Sequence, residues 1–194
     1  MTVVIKTLEE CRFPFKLRAF ASKGDSRGLT LGGSLQRLPG ALCIEYRLEG
    51  DLQTVVLPAF NSVYSRRHEL WRQTCFELFF GIPGELQYWE VNLGPDGCWN
   101  FYHFTGYRQG MQEAAAVAEF TFRVLKEGNT FSLSCRIDVH KLVPDCKRLE
   151  VGIAAVVLDS TGAAAHWAID HFESVPDFHG RQSFLMVLPG VAKM

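Results

Sequence analysis

The chain has 194 residues, a formal net charge of -1 and 21% charged residues, against 47% hydrophobic and 12% aromatic. That length fits a single domain over residues 1–194, since two halves would each be small for a core of their own. The balanced charge excludes the basic footprint of a phosphate-backbone binder, the apolar content excludes a disordered chain, and no run reaches the roughly 20 apolar residues of a membrane helix. Neither nucleic acid nor membrane is therefore an expected partner.

The opening residues, Met1 to Ile5 followed by Lys6 and Leu8-Glu9-Glu10, form a short apolar stretch without a basic leading region, which does not read as a signal peptide. Six cysteines (Cys11, Cys43, Cys75, Cys98, Cys135 and Cys146) contain no C-x-x-C pair, and several sit inside apolar strand patterns. Buried free thiols in a reducing cytoplasm are the expectation.

Period-2 alternation dominates the chain. It begins over Phe15 to Ala19 and is clearest from Leu42 to Glu49, where apolar residues take even positions and charges odd ones. Further strands are expected near 29–37, 53–57, 75–81, 86–93 and 98–104, with a tight turn at Gly94-Pro95-Asp96-Gly97. Phe120 to Val124 and Phe131 to Ile137 alternate around a hairpin turn at Lys126-Glu127-Gly128-Asn129, and strands follow near 149–158, 164–170 and 183–188. Helix is expected only as short pieces over His68 to Gln73, Gln112 to Glu119 and Val139 to Leu142. The whole predicts an all-β, antiparallel β-sandwich of immunoglobulin or jelly-roll type with one or two short helices.

The phosphate-loop, dinucleotide, nucleophile-elbow and H-E-x-x-H signatures are absent from the sequence; Gly32-Gly33-Ser34 lacks the closing glycine of an elbow. The chemistry instead lies in polar residues interleaved with apolar strand positions. Phe76, Leu78 and Phe80 leave Glu77 on the opposite face, and Trp89, Val91 and Leu93 leave Tyr88, Glu90 and Asn92 there. If the two strands are neighbours, these four share one surface. Carboxylates, an amide and aromatic rings together suit a polyhydroxylated ligand, although a solvated sheet face would show the same pattern. Paired Glu77 and Glu90 would also suit acid/base glycoside hydrolysis.

A second cluster runs from His166-Trp167-Ala168-Ile169-Asp170-His171 to Pro176-Asp177-Phe178-His179. Three histidines and two aspartates admit a metal site, but the odd spacing of His166 and His171 points them to opposite faces of one strand. A structural or ligand-orienting role for His171 and His179 is the stronger expectation, and no metal ligand is assigned.

Taken as an ordered set, Leu70 to Phe79, Tyr88 to Gly97, Trp99 to Tyr102 and the His166 to His179 segment resemble the DOMON-like superfamily, in its branch similar to family 9 carbohydrate-binding modules and its stand-alone bacterial members. The resemblance spans about residues 40–188 and implies a sandwich holding sugar or haem at one face. It places Trp71 and Glu77 at positions similar to the sugar-binding motif, with Trp167 as a second clamping ring. Its haem-binding members use Met and His, for which Met111 and several histidines are candidates. The expected function is thus a non-catalytic carbohydrate-binding or carbohydrate-sensing domain, cytoplasmic, with Trp71, Glu77, Tyr88, Glu90, Asn92, Trp167, His171 and His179 at the site. The alternatives are a haem- or metal-binding redox module of DOMON type and an enzyme using the paired carboxylates Glu77 and Glu90.

Overall fold

A computed structural model describes residues 12–20 and 28–191, so Cys11 and the opening segment lie outside the described residues. The strands are β1 (Arg12–Ala19), β2 (Thr30–Leu38), β3 (Ala41–Glu49), β4 (Ser65–Arg66), β5 (Cys75–Gly81), β6 (Tyr88–Leu93) and β7 (Cys98–Phe104). They continue with β8 (Gln112–Glu113), β9 (Phe122–Glu127), β10 (Thr130–Asp138), β11 (Leu149–Leu158), β12 (Ala164–Ala168) and β13 (Met186–Leu188).

The strands make one curled sheet whose order is β4-β7-β6-β5-β11-β12-β1-β2-β3-β10-β9, with β8 on β7 and β13 on β11. Strand β1 turns the corner: Arg12 to Leu17 pair with β2, whereas Arg18 and Ala19 pair with Ala168 and Trp167 of β12. The result is a sandwich with a back layer, β1-β2-β3-β10-β9, and a front layer, β4-β7-β6-β5-β11-β12. Pairing is antiparallel throughout except between β4 and β7.

Alternation explains which side chains meet between the layers. Leu42, Ile44, Tyr46 and Leu48 of β3 face Phe76, Leu78 and Phe80 of β5, Trp89, Val91 and Leu93 of β6, and Val151, Ile153, Ala155 and Val157 of β11 in one apolar core. Each buried Val, Leu, Ile or Phe among them contributes roughly 1.5–3 kcal/mol. The front layer is unusual in being covered on its other face as well. Phe79, Tyr88, Tyr102, Phe104, Ala154, Val156, Ala168, Phe178 and Phe184 form a second buried cluster there. Cover on both sides leaves every residue of β5 buried, Glu77 included.

Turn chemistry matches the sequence where the chain must reverse. Gly97 has φ 93° and Gly94 N donates to Cys98 O at 2.8 Å, closing the β6–β7 hairpin. Gly128, with φ 54°, closes β9–β10.

Other expectations are corrected. Residues 112–119 do not form helical turns, because Gln112 and Glu113 pair with His103 and Tyr102 as β8 and Ala114 N donates to Phe101 O. The alanine run is too short to offset the cost of nucleating a helix against that pairing. The 53–57 strand is replaced by a 3-10 turn at Leu52–Thr54, capped by Asp51, with Val55 bridging to Asp159. His68 to Gln73 shortens to a 3-10 turn at Leu70–Arg72, and Val139 to Leu142 makes one hydrogen-bonded turn. The segment at 183–188 opens on a 3-10 turn at Arg181–Ser183 and becomes a strand only at Met186. All five described cysteines are free; Cys75, Cys98 and Cys135 are buried, but Cys146 is exposed, contrary to the expectation of burial.

Candidate functional site

The outer face of the front layer carries the site. Register sets Glu77 of β5 directly opposite Asn92 of β6 and Phe79 opposite Glu90. On the far side of β6, Asn92, Glu90 and Tyr88 face Asn100, Tyr102 and Phe104 of β7. On the far side of β5, Glu77 faces Ala154 of β11. Directly opposed side chains share a face, so Glu77, Tyr88, Glu90 and Asn92 are brought together as their parity predicts. Glu77 and Glu90 are diagonal neighbours, for which backbone separation is about 7–8 Å.

This face is not a solvated one. Glu77 is 2% exposed, Glu90 3% and Asn92 0%. What covers it is irregular chain: the Leu70–Arg72 turn bearing Trp71, the loop after β7 bearing Arg108 and Met111, and the segment after β12 bearing Pro176, Phe178 and His179. Beneath them lies a cavity of about 340 Å³ lined by Trp71, Glu77, Glu90, Phe104, Arg108 and His179, among others. That volume is at the small end of the roughly 300–1,000 Å³ range of ligand sites.

Hydrogen bonds fix most of the polar lining. Asn92 Nδ2 donates to Glu90 Oε1 at 2.6 Å, and Cys75 Sγ donates to Asn92 Oδ1 at 3.6 Å. Tyr88 OH accepts from the Arg108 backbone N–H at 3.3 Å and lies 2.8 Å from His179 Nδ1. Where the hydroxyl donates to Nδ1, the neutral imidazole carries its proton on Nε2. That Nε2 is 3.9 Å from Glu90 Oε2, beyond hydrogen-bond reach. Glu77 Oε1 is buried without a hydrogen-bond partner.

Asp177 ties the covering loops together. It accepts from Arg108 Nη2 at 2.8 Å, Tyr107 OH at 3.0 Å and the His179 backbone N–H at 3.2 Å. Arg108 adopts a left-handed backbone, φ 51°, which costs a non-glycine residue and is held here by the surrounding bonds.

The electrostatics follow from burial. Loss of solvent pushes the Glu90 carboxyl up to about 7, against the hydrogen bond from Asn92 and the charge of Arg108, which lower it. Burial raises Glu77 well above the usual carboxylate range, and the neighbouring Glu90 raises it further. Burial and Arg108 together bring His179 down to about 4, so its imidazole is neutral near pH 7 and makes no ion pair with Glu90. Although burial opposes it, the bonds from Arg108, His179 and Tyr107 hold the Asp177 carboxyl below its ordinary value.

Two expected site residues are elsewhere. Trp167 stands opposite Ala155 of β11 and faces the core between the layers, 3% exposed, with its Nε1 lacking a hydrogen-bond partner. It cannot clamp a ligand against Trp71; the other rings lining the cavity are Phe104, Phe178 and the imidazoles of His166 and His179. His171 lies beyond the end of β12 at Ala168, so strand parity does not apply to it. Its ring and that of His166 both approach Phe178, at 6.5 and 6.1 Å, and His171 Nε2 donates to Arg18 O at 2.9 Å. Among the described residues, no three His, Cys, Asp or Glu side chains gather as a metal-binding group. Met111 and His179 line the same cavity.

No protein-family model and no curated protein matches this chain. Solved structures do. A proposed carbohydrate-binding protein from Bacteroides uniformis superposes with a TM-score of 0.63 at 12% identity, covering 90% of this chain and 85% of that one. A family 9 carbohydrate-binding module from Caldicellulosiruptor kristjanssonii, in complex with cellotriose, gives a TM-score of 0.49 at 13% identity over 84% of this chain and 74% of that one. The first likeness establishes a shared β-sandwich fold.

Residues that sequence reasoning missed are Arg108, Phe104 and Val156. Phe104 and Val156 were legible as the strand positions alternating with core residues. Arg108 was not, since it sits in a loop with no periodic signal.

Proposed function

We propose that the chain is a non-catalytic carbohydrate-binding domain that holds a compact saccharide in the cavity over the front layer. The observation that carries the reading is the lining itself: two buried carboxyl groups, one with an unpartnered oxygen, beside the rings of Trp71, Phe104 and Phe178. Aromatic faces cover the apolar faces of a sugar ring, and carboxyl groups take its hydroxyl hydrogen bonds. The fold shared with the Bacteroides uniformis protein, itself proposed to bind carbohydrate, supports the reading, as does the DOMON-like resemblance of Leu70 to Phe79 and Tyr88 to Gly97. Tyr88, Asn92 and His179 act in it by orienting Glu90 and the covering segment. A cytoplasmic location is part of this proposal, a compartment in which thiols stay reduced.

Titration calorimetry of the folded protein against neutral, amino, N-acetylated and acidic monosaccharides and short oligosaccharides tests the proposal. Saturable heat with at least one sugar is expected, abolished in Trp71→Ala. Absence of binding to every sugar at millimolar concentration overturns it.

A further inference from the structure

We propose that this cavity selects a saccharide bearing a free, protonated amine over its neutral and acidic counterparts. The inference rests on the carbohydrate reading above and concerns the chemistry of the preferred sugar.

Two acidic side chains line the cavity on adjacent strands, and Glu77 Oε1 is buried with no partner. The lining offers these two carboxyls a single cationic side chain, whose charge acts on both. Arg108 is the cationic side chain in it, and its guanidinium is engaged by Asp177 at 2.8 Å while its side chain remains 51% exposed. His179 presents Nε2 to Glu90 only at 3.9 Å, and burial lowers the basicity of both His179 and His166. Tyr88 and Tyr102 share this face and Cys75 bonds Asn92 on it, while Tyr46 meets β5 from the core side at the Glu77 backbone O; all four are neutral acids near pH 7.

An ammonium supplies what this arrangement lacks. It carries three donors and a charge, enough to reach the open Glu77 oxygen and Glu90 together. Beside side chains as buried as Glu77 and Glu90 the attraction is stronger than in bulk solvent. The ring that carries it remains available to Trp71, Phe104 and Phe178. A carboxylated sugar would instead add a third acid to the pair, and N-acetylation would remove the charge. Because an ammonium favours the ionised carboxyls, its binding near pH 7 releases protons to the buffer.

Calorimetry of the wild-type protein at pH 7 with glucose, glucosamine, N-acetylglucosamine and glucuronic acid reads this directly. Glucosamine is expected to bind about tenfold or more tightly than glucose, the scale of one added charge-assisted hydrogen bond. Its observed heat should vary with buffer ionisation enthalpy, reporting proton release. Glu77→Gln and Glu90→Gln, which keep shape but remove the charge and turn one acceptor oxygen into a donor, should shrink the glucosamine-to-glucose affinity ratio. Equal or weaker binding of glucosamine, or N-acetylglucosamine matching it, overturns the amine preference while leaving carbohydrate binding intact. Failure of all four sugars, extended to the wider panel, removes both readings.

Discussion

Asn92 and Glu90 sit two residues apart on β6, and the Asn92 amide donates to Glu90 Oε1 at 2.6 Å within a fully buried face. A carboxyl group in that setting depends on its partner. With Asn92→Ala, Glu90 Oε1 loses its donor and Cys75 Sγ keeps only the Phe76 carbonyl as acceptor. The expected cost is about 1–3 kcal/mol, that of a buried polar group left unpaired. Urea unfolding at pH 7 measures it; a change below the error of the method would mean that Glu90 finds another donor.

Burial gives stability a pH dependence of defined sign. Glu90 is raised to about 7 and Glu77 is raised as well. The Glu90 contribution is fully present below the unfolded carboxylate value of about 4.3, declines as pH rises and is lost through about 7, and that of Glu77 is likewise lost on the alkaline side. His179, lowered to about 4, acts oppositely: its contribution is present above about 6.5 and is lost as pH falls through about 4. Glu90→Gln should therefore show a melting-temperature gain over wild type that grows from pH 5 to pH 8. Each kcal/mol corresponds to about 2–4 °C in a chain of this size. A gain independent of pH would show that Glu90 titrates normally.

The two tryptophans separate binding from stability. Trp71 is half-buried on the cavity wall, whereas Trp167 is 3% exposed in the core. Trp71→Ala should lose sugar binding with a modest change in stability. Trp167→Ala should cost about 3–5 kcal/mol. Paired melting curves and calorimetry check both; the reverse pattern would sink the assignment of Trp71 to the site.

Asp177 holds the loop after β7 through Arg108 and Tyr107 and braces its own segment through the His179 backbone N–H, beside the bridge made by Tyr88 OH. In Asp177→Ala those loops should open more often. The amides of Arg108 and His179 would exchange faster with solvent, and ligand affinity would fall, while the amides of β5 and β6 keep their protection. Hydrogen exchange by mass spectrometry resolves the two regions. Uniform deprotection would mean that Asp177 supports the whole sandwich instead.

Parity made much of the site legible in advance. Glu77 against Phe76 and Leu78, and Glu90 and Asn92 against Trp89, Val91 and Leu93, are separated by alternation alone, and antiparallel register then joins them. Their burial was not legible, because the cover comes from loops without periodicity, drawn from residues 70–72, 104–111 and 176–179. Trp167 shows the limit of local pattern. Both faces of β12 carry large or polar groups, and pairing with β11, which sets Trp167 against Ala155, decides which one meets the core. Alanine runs mislead for the same reason: an edge position beside β7 overrode the helix propensity of residues 112–119.

The division of β5 and β6 into two interleaved sets has a practical reach. The side chains that hold the layers together and those that face the cavity alternate along the same few residues, so each set can be rewritten without replacing the other. Exchanging Glu77, Glu90 and Asn92 for other polar residues while Phe76, Leu78, Val91 and Leu93 stay fixed would retune what the cavity accepts. The scaffold thus lends itself to a library of receptors, in which three positions on two neighbouring strands carry the variation.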